Sequence, residues 1–224
     1  MASGPALRSN EAKPGIAPSV PVGWRTTHPA STTQLVIVHA ASSATTYATL
    51  ETFNKVGGQW KPAFGAMTAR VGEDGIGTKT KEGVPITPIG TFSFGPTMYG
   101  VSANPGVHYQ WHHLVTNDWW DEMVGSPTYN TFQHGSDPGG ASEALWKTVP
   151  AYDYFAVITY NMPPNVAKPV DGAGSGIFLH VATSGPTAGC VSLPAADLVK
   201  VLTWLDPARN PRIVITLDSG LRNF

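Results

Sequence analysis

Apolar runs in this chain are short, and glycine or proline interrupts nearly all of them. The 224 residues include 24 glycines and 20 prolines. Glycine and proline weaken helix interiors but serve turns well. With many Thr, Ser and Val beside them, this punctuation predicts short strands joined by turns. One segment escapes the pattern. "PAADLVKVLTWL" (194–205) carries Leu198, Val201, Leu202 and Leu205 at i, i+3, i+4 and i+7, the stripe of a core-facing helix. Pro194 suits its first turn, Asp197 its positive end, and Asp206-Pro207 its stop.

The strands expected are "QLVIVHA" (34–40), "YFAVITYN" (154–161), "SGIFLHVA" (175–182) and the closing "RIVITL" (212–217). "TYATLETFNKVGGQWKPAF" reads as a hairpin turning at Gly57-Gly58, with further short strands at "GAMTARVG" and "GTFSFG". The fold class is therefore mainly β, a twisted sandwich or partly closed barrel with few helices. Residues 1–33, rich in Pro, Ser and Ala, read as a tail or linker before a domain at 34–224. "HYQWHHLVTNDWWDEMVGSPTYNTFQHG" (108–135) is too polar for core and too aromatic for a mere linker.

Hydrophobic residues are 42% of the chain and charged residues 13%, with net charge −1 and no Lys/Arg-rich run. Nucleic-acid binding thus has no electrostatic footprint. No apolar stretch reaches the roughly 18 residues of a membrane span. The start "MASGPALRSNEAKPG" lacks the apolar centre of a signal peptide, though a leader removed upstream is compatible with it. The single cysteine, Cys190, permits neither an internal disulfide nor a Cys-cluster zinc site.

Cys190 follows a strand-ending histidine, His180, by ten residues. A thiol, an imidazole and backbone donors are the parts of nucleophilic thiol chemistry. The coming helix favours an anion near Cys190, and the amides of Gly189 and Cys190 could face an oxyanion. The same spacing also fits a buried, inert thiol beside an unrelated histidine. His39, ending an apolar strand, reads as a core or hydrogen-bonded histidine. His108 and His112 have i, i+4 spacing, but Pro105-Gly106 argues against the helix that a metal pair would need. "GEDGIG" (72–77) reads as a turn.

Four ordered blocks add weight. "FLHVATSGPTAGC" (178–190) resembles the L,D-transpeptidase catalytic domain, the YkuD-like family, where a strand-ending histidine precedes a Ser/Thr-x-Gly-Cys loop. "KTKEGVPITPIGTF" (79–92) is similar to a second family segment. "NDWWDEMVGSPTYNTF" (117–132) is similar to a substrate-side segment, and "YFAVITYN" before "GSGIFLH" completes the order. Ala188 stands where the commonest family loop has a histidine. With the short His-to-Cys loop, this resembles a TAGC-type branch.

The resemblance implies peptidoglycan stem peptides as substrate, an acyl-enzyme on Cys190, His180 as acid and base, and an oxyanion site at Gly189 and Cys190. It implies a backbone carbonyl orienting His180. Thr187, Ala188, Tyr129, Asn130, Trp111 and His134 are the candidate substrate contacts; Tyr129, Asn130 and Trp111 could equally be loop packing, and His134 solvated. Asp118, Asp121 and Glu122 are candidate holders of a cationic acceptor, or solvated turn residues. No metal or cofactor is called for. A monomer acting outside the cytoplasm, open to a covalent carbapenem adduct, is expected. A hydrolase on the same scaffold and a non-catalytic wall-binding module are the competing readings.

Overall fold

The computed structural model describes residues 29–223. The expected tail lies largely outside them. Its last residues, which are described, are tied down: the Thr33 amide donates to the Arg209 carbonyl at 2.9 Å, and Thr32 is fully buried.

In chain order the strands are β1 (Gln34–Ala40), β2 (Tyr47–Val56), β3 (Gln59–Pro62) and β4 (Met67–Arg70). Next come β5 (Ile76–Gly77), β6 (Thr87–Pro88), β7 (Gly90–Gly100) and β8 (Gln110–His113). Then follow β9 (Asp118–Asp121), β10 (Thr131–His134), β11 (Glu143–Ala144) and β12 (Phe155–Ile158). The chain ends with β13 (Phe178–Val181), β14 (Val191–Leu193), the helix α1 (Ala195–Trp204) and β15 (Arg212–Leu217).

The main sheet runs β1-β15-β7-β12-β13-β14-β4-β2, and β2 pairs back onto β1. The ring therefore meets itself, although its β14–β4 seam is a single residue pair, Ser192 with Arg70. β3 extends β2 through the expected hairpin. Gly57 and Gly58 take φ of 59° and 79°, the left-handed pair that a two-residue hairpin turn demands.

Strand alternation divides the buried residues into two main cores and a small third cluster of Leu35, Ile37, Phe53 and Val214. Val36, Val38, Leu50, Ala156, Leu179, Val191 and the helix residues Leu198, Val201, Leu202 and Leu205 form the larger one. The four helix residues are the predicted stripe, and all are fully buried. The opposite faces of β12 and β13 carry Phe155, Val157 and Phe178, which pack with Leu114, Trp120, Leu145, Tyr152 and Cys190. This second core explains the aromatic stretch that the sequence left unplaced. β9, β10 and β11 form a small separate sheet laid over that face of the ring. Rings interlock there: Phe155 to Phe178 at 4.7 Å, Trp120 edge-on to Phe178 at 5.0 Å, and Tyr99 stacked on Phe155 at 5.1 Å.

Phe155 is the hub of this layer and is fully buried. Truncation leaves a cavity that rigid neighbouring rings cannot fill. Phe155→Ala is expected to destabilise the domain by about 3–5 kcal/mol. Chemical denaturation should show a lower midpoint with an unchanged slope.

Candidate active site

β13 pairs with β14 in parallel, His180 opposite Ser192, so the loop between them returns Cys190 to the side of the sheet that His180 occupies. Both residues belong to the outer, aromatic-covered face, with Phe178 one alternation away. They line one cleft of about 420 Å³.

His180 is 7% exposed, and its Nδ1 lies 2.8 Å from the Val181 carbonyl. A carbonyl only accepts, so Nδ1 carries the proton and Nε2 is left as the basic nitrogen. Burial pushes the imidazole down to about 4, against a weaker upward pull from that carbonyl. At neutral pH it is an uncharged base.

The Cys190 thiol donates to the Gly176 carbonyl at 3.1 Å and accepts from the Phe178 amide at 3.2 Å. Burial pushes it well above the ordinary thiol range, Glu143 adds to this, and the Phe178 amide opposes it. The helix-end effect expected from sequence is thus outweighed by desolvation. The resting pair is a neutral thiol and a neutral imidazole.

Hydroxyls fix the backbone of Cys190. Thr187 Oγ1 donates to the Cys190 carbonyl at 2.6 Å, and Thr87 Oγ1 donates to the same oxygen at 3.0 Å. Thr87 also accepts from the Gly72 amide at 2.8 Å. The "ITPIG" block therefore has a visible role beside the cysteine loop. The Gly189 amide, expected to face an oxyanion, is instead turned to Thr187 Oγ1 at 3.2 Å. To serve a substrate it would have to release that long bond.

The other expected contacts divide. Thr187 and Ala188 line the cleft. Tyr129 and Asn130 stand behind it. Tyr129 donates to Glu82 Oε2 at 2.5 Å, and Asn130 Oδ1 accepts from the Gly176 and Trp120 nitrogens at 3.1 and 2.9 Å. Trp111 and His134 do not line it. Trp111 on β8 packs by Tyr154 and Gly100 on the flank of the larger core. His134, mostly exposed, reaches Asp118 Oδ1 at 2.7 Å, while His112 reaches Oδ2 at 2.8 Å. His112 sits on a strand and not on the helix that a metal pair would require. His39, as expected, is hydrogen-bonded, its Nδ1 2.6 Å from Asp218.

Asp118 and Asp121 are likewise not cation holders facing the cleft. Both are fully buried. Asp121 accepts from Ser126 Oγ, Thr128 Oγ1 and the Met123 amide at 2.5, 2.7 and 2.9 Å. Of the three acids named from sequence, only Glu122 lines the cleft, where Glu82 and Glu143 join it. Sequence reasoning passed over Glu82, Glu143, Tyr152 and Ser175. Nothing in their local patterns signals a place in the cleft; Glu143 is held there by Tyr152, nine residues on, whose hydroxyl donates to it.

Asp118 pins β8, β9 and β10 together. Burial, the largest single influence, raises its carboxyl, but the Val115 amide and the two histidines together outweigh it and hold the group below the usual range. A depressed carboxyl stabilises the fold above its unfolded pKa, and this is lost as pH falls through the folded value. Asp118→Ala is expected to cost about 1–3 kcal/mol near neutrality and progressively less below pH about 4. Paired unfolding curves at pH 7 and pH 3 check this.

A family model described as the L,D-transpeptidase catalytic domain (YkuD) matches residues 35–215. The chain belongs to that family. Its members act on peptidoglycan stem peptides. Among solved structures, L,D-transpeptidase 1 of Mycobacterium tuberculosis aligns at 15% identity over 82% of this chain, with a TM-score of 0.31. The alignment spans 62% of that protein's chain. No curated protein matches. No described helix of this L,D-transpeptidase domain is long and apolar enough to cross a membrane.

Proposed function

We propose that this domain is a cysteine-dependent L,D-transpeptidase of peptidoglycan stem peptides, working outside the cytoplasm with no cofactor. The observation that carries this reading is the shared cleft: Cys190 and His180 line it together, and the Val181 carbonyl leaves His180 Nε2 free. As the thiol sulfur attacks the amide carbon, His180 Nε2 takes the thiol proton and then delivers it to the leaving D-Ala amine. The stem is left as a thioester on Cys190. An amine of a second stem attacks that carbon, His180 accepts the amine's proton, and the thiol is released with the crosslink formed.

Neutral partners suit this sequence, because proton transfer can accompany attack without a standing ion pair in a dry site. Thr187 and Thr87 hold the nucleophile's backbone still while this occurs.

Water could resolve the same thioester, which would make a carboxypeptidase. Positioning an acceptor amine can reach effective concentrations of about 10⁵ M, far above the roughly 55 M of water. With tetrapeptide stems alone, mass spectrometry should therefore show crosslinked dimer accumulating faster than tripeptide. Tripeptide without dimer at every acceptor concentration would replace the transferase by a hydrolase.

A further inference from the structure

The cleft beside Cys190 is lined by three carboxyl groups, from Glu82, Glu122 and Glu143, and, among the described residues, by no lysine or arginine. They come from separate parts of the chain: the segment before β6, the residue after β9, and β11. Their hydrogen-bond partners among the described residues are neutral. Glu82 Oε2 accepts from Tyr129 at 2.5 Å and from Ser175 at 2.6 Å. Glu143 accepts from the Tyr152 hydroxyl, and Glu122 interacts with Ser175.

Glu122 lies directly against Gly176. A Cβ placed on Gly176 would lie 2.0 Å from Glu122 Oε1, and Gly176 has φ of 61°. Only glycine lets the carboxyl approach there. The carbonyl of that same Gly176 receives the Cys190 thiol. One residue of backbone thus separates the Glu122 carboxyl from the nucleophile.

Three acids in a shared, half-closed space repel one another, and burial worsens the cost. Burial first, then Glu143 and Glu82, push Glu122 up to about 9, so the empty cleft keeps a proton there. An entering ammonium group would replace that proton and gain charge-assisted hydrogen bonds in a poorly screened place. A neutral amide at the same point would gain neither.

Accepting the transpeptidase reading, we propose that Glu122, supported by Glu143 and Glu82, is the specificity wall of the cleft and selects stem peptides bearing a free side-chain ammonium near the bond that Cys190 attacks. Peptides whose side-chain amine is acylated are discriminated against at binding.

The test separates binding from turnover. The full chain carrying Cys190→Ala is titrated calorimetrically with a tetrapeptide stem whose diamino acid has a free side-chain amine, and with the same peptide acetylated there. The free amine should bind about tenfold tighter or more. Glu122→Gln and Glu143→Gln, added separately, should each shrink that ratio while circular dichroism stays unchanged. Glu82→Gln serves if either variant loses its fold. Equal affinity for the two peptides overturns the proposal, as does a ratio untouched in the folded variants, or no binding of either peptide at millimolar concentration. A preserved ratio in a protein whose wild-type form makes no Cys190-dependent product would reject the transpeptidase reading alone.

Discussion

Cys190→Ser should abolish turnover, by about 10³-fold or more, in a protein that remains folded. The serine hydroxyl can donate to the Gly176 carbonyl and accept from the Phe178 amide, as the thiol does. The fold therefore has little reason to change, and circular dichroism should match the parent. What changes is nucleophilicity: a hydroxyl is a weaker acid and a poorer neutral nucleophile than a thiol, and an imidazole held near 4 cannot make up that difference. Intact-mass spectra give a second readout. A carbapenem should add one drug mass to the wild type through opening of its lactam by the thiol, and none to Cys190→Ala. Wild-type-like turnover in the folded serine variant would remove Cys190 from the chemistry.

His180→Ala should lower kcat by about 10²–10⁴-fold, the scale of a lost general acid and base. The pH profile discriminates further. Burial displaces the imidazole downward, so its neutral, basic form persists from neutrality down to about pH 4. The acid limb of wild-type kcat/KM should therefore lie below pH 5 and not near 6.5, the ordinary histidine value. On the alkaline side the thiol stays protonated beyond its usual range, because burial and Glu143 oppose the thiolate. A broad plateau is expected from about pH 5.5 to 9. The same reasoning makes the resting thiol slow towards iodoacetamide at pH 7, contrary to the fast alkylation that an exposed catalytic thiolate would show. A limb near 6.5, or a loss below threefold in His180→Ala, would assign the base elsewhere.

The strands and the helix were legible because their signals are local. Leu198, Val201, Leu202 and Leu205 declare a helical face by spacing alone, and Gly57-Gly58 declare a turn by backbone freedom alone. His180 and Cys190 could be paired because a strand end and a loop lie close in sequence. Of the cleft walls, Thr187, Ala188 and Glu122 were named from sequence, but the grouping of the acids was not legible. Glu82, Glu122 and Glu143 meet only through the fold, and an isolated glutamate in a polar segment looks solvated. Trp111 and His134 misled for the same reason in reverse: aromatic and titratable residues near a substrate-side segment suggest contact, whereas strand pairing sends them to other faces. For Gly189 the sequence gives no sign that Thr187, two residues earlier, accepts its amide in the resting loop.

Cys190 and His180 sit on the aromatic-covered face of the ring, while α1 packs with the larger core against the other side of the same strands. On the proposed reading, chemistry and selectivity are thereby given to separate parts. β13 and the Cys190 loop would carry the nucleophile and base; the segment from β9 to β11 supplies Glu122, Ala141 and Glu143 to the cleft. That segment is a small sheet of its own, joined to the ring by side-chain packing and not by a shared strand ladder. A roof of this kind is exchangeable: its acids can be redrawn to admit a different peptide while the machinery beneath keeps its register.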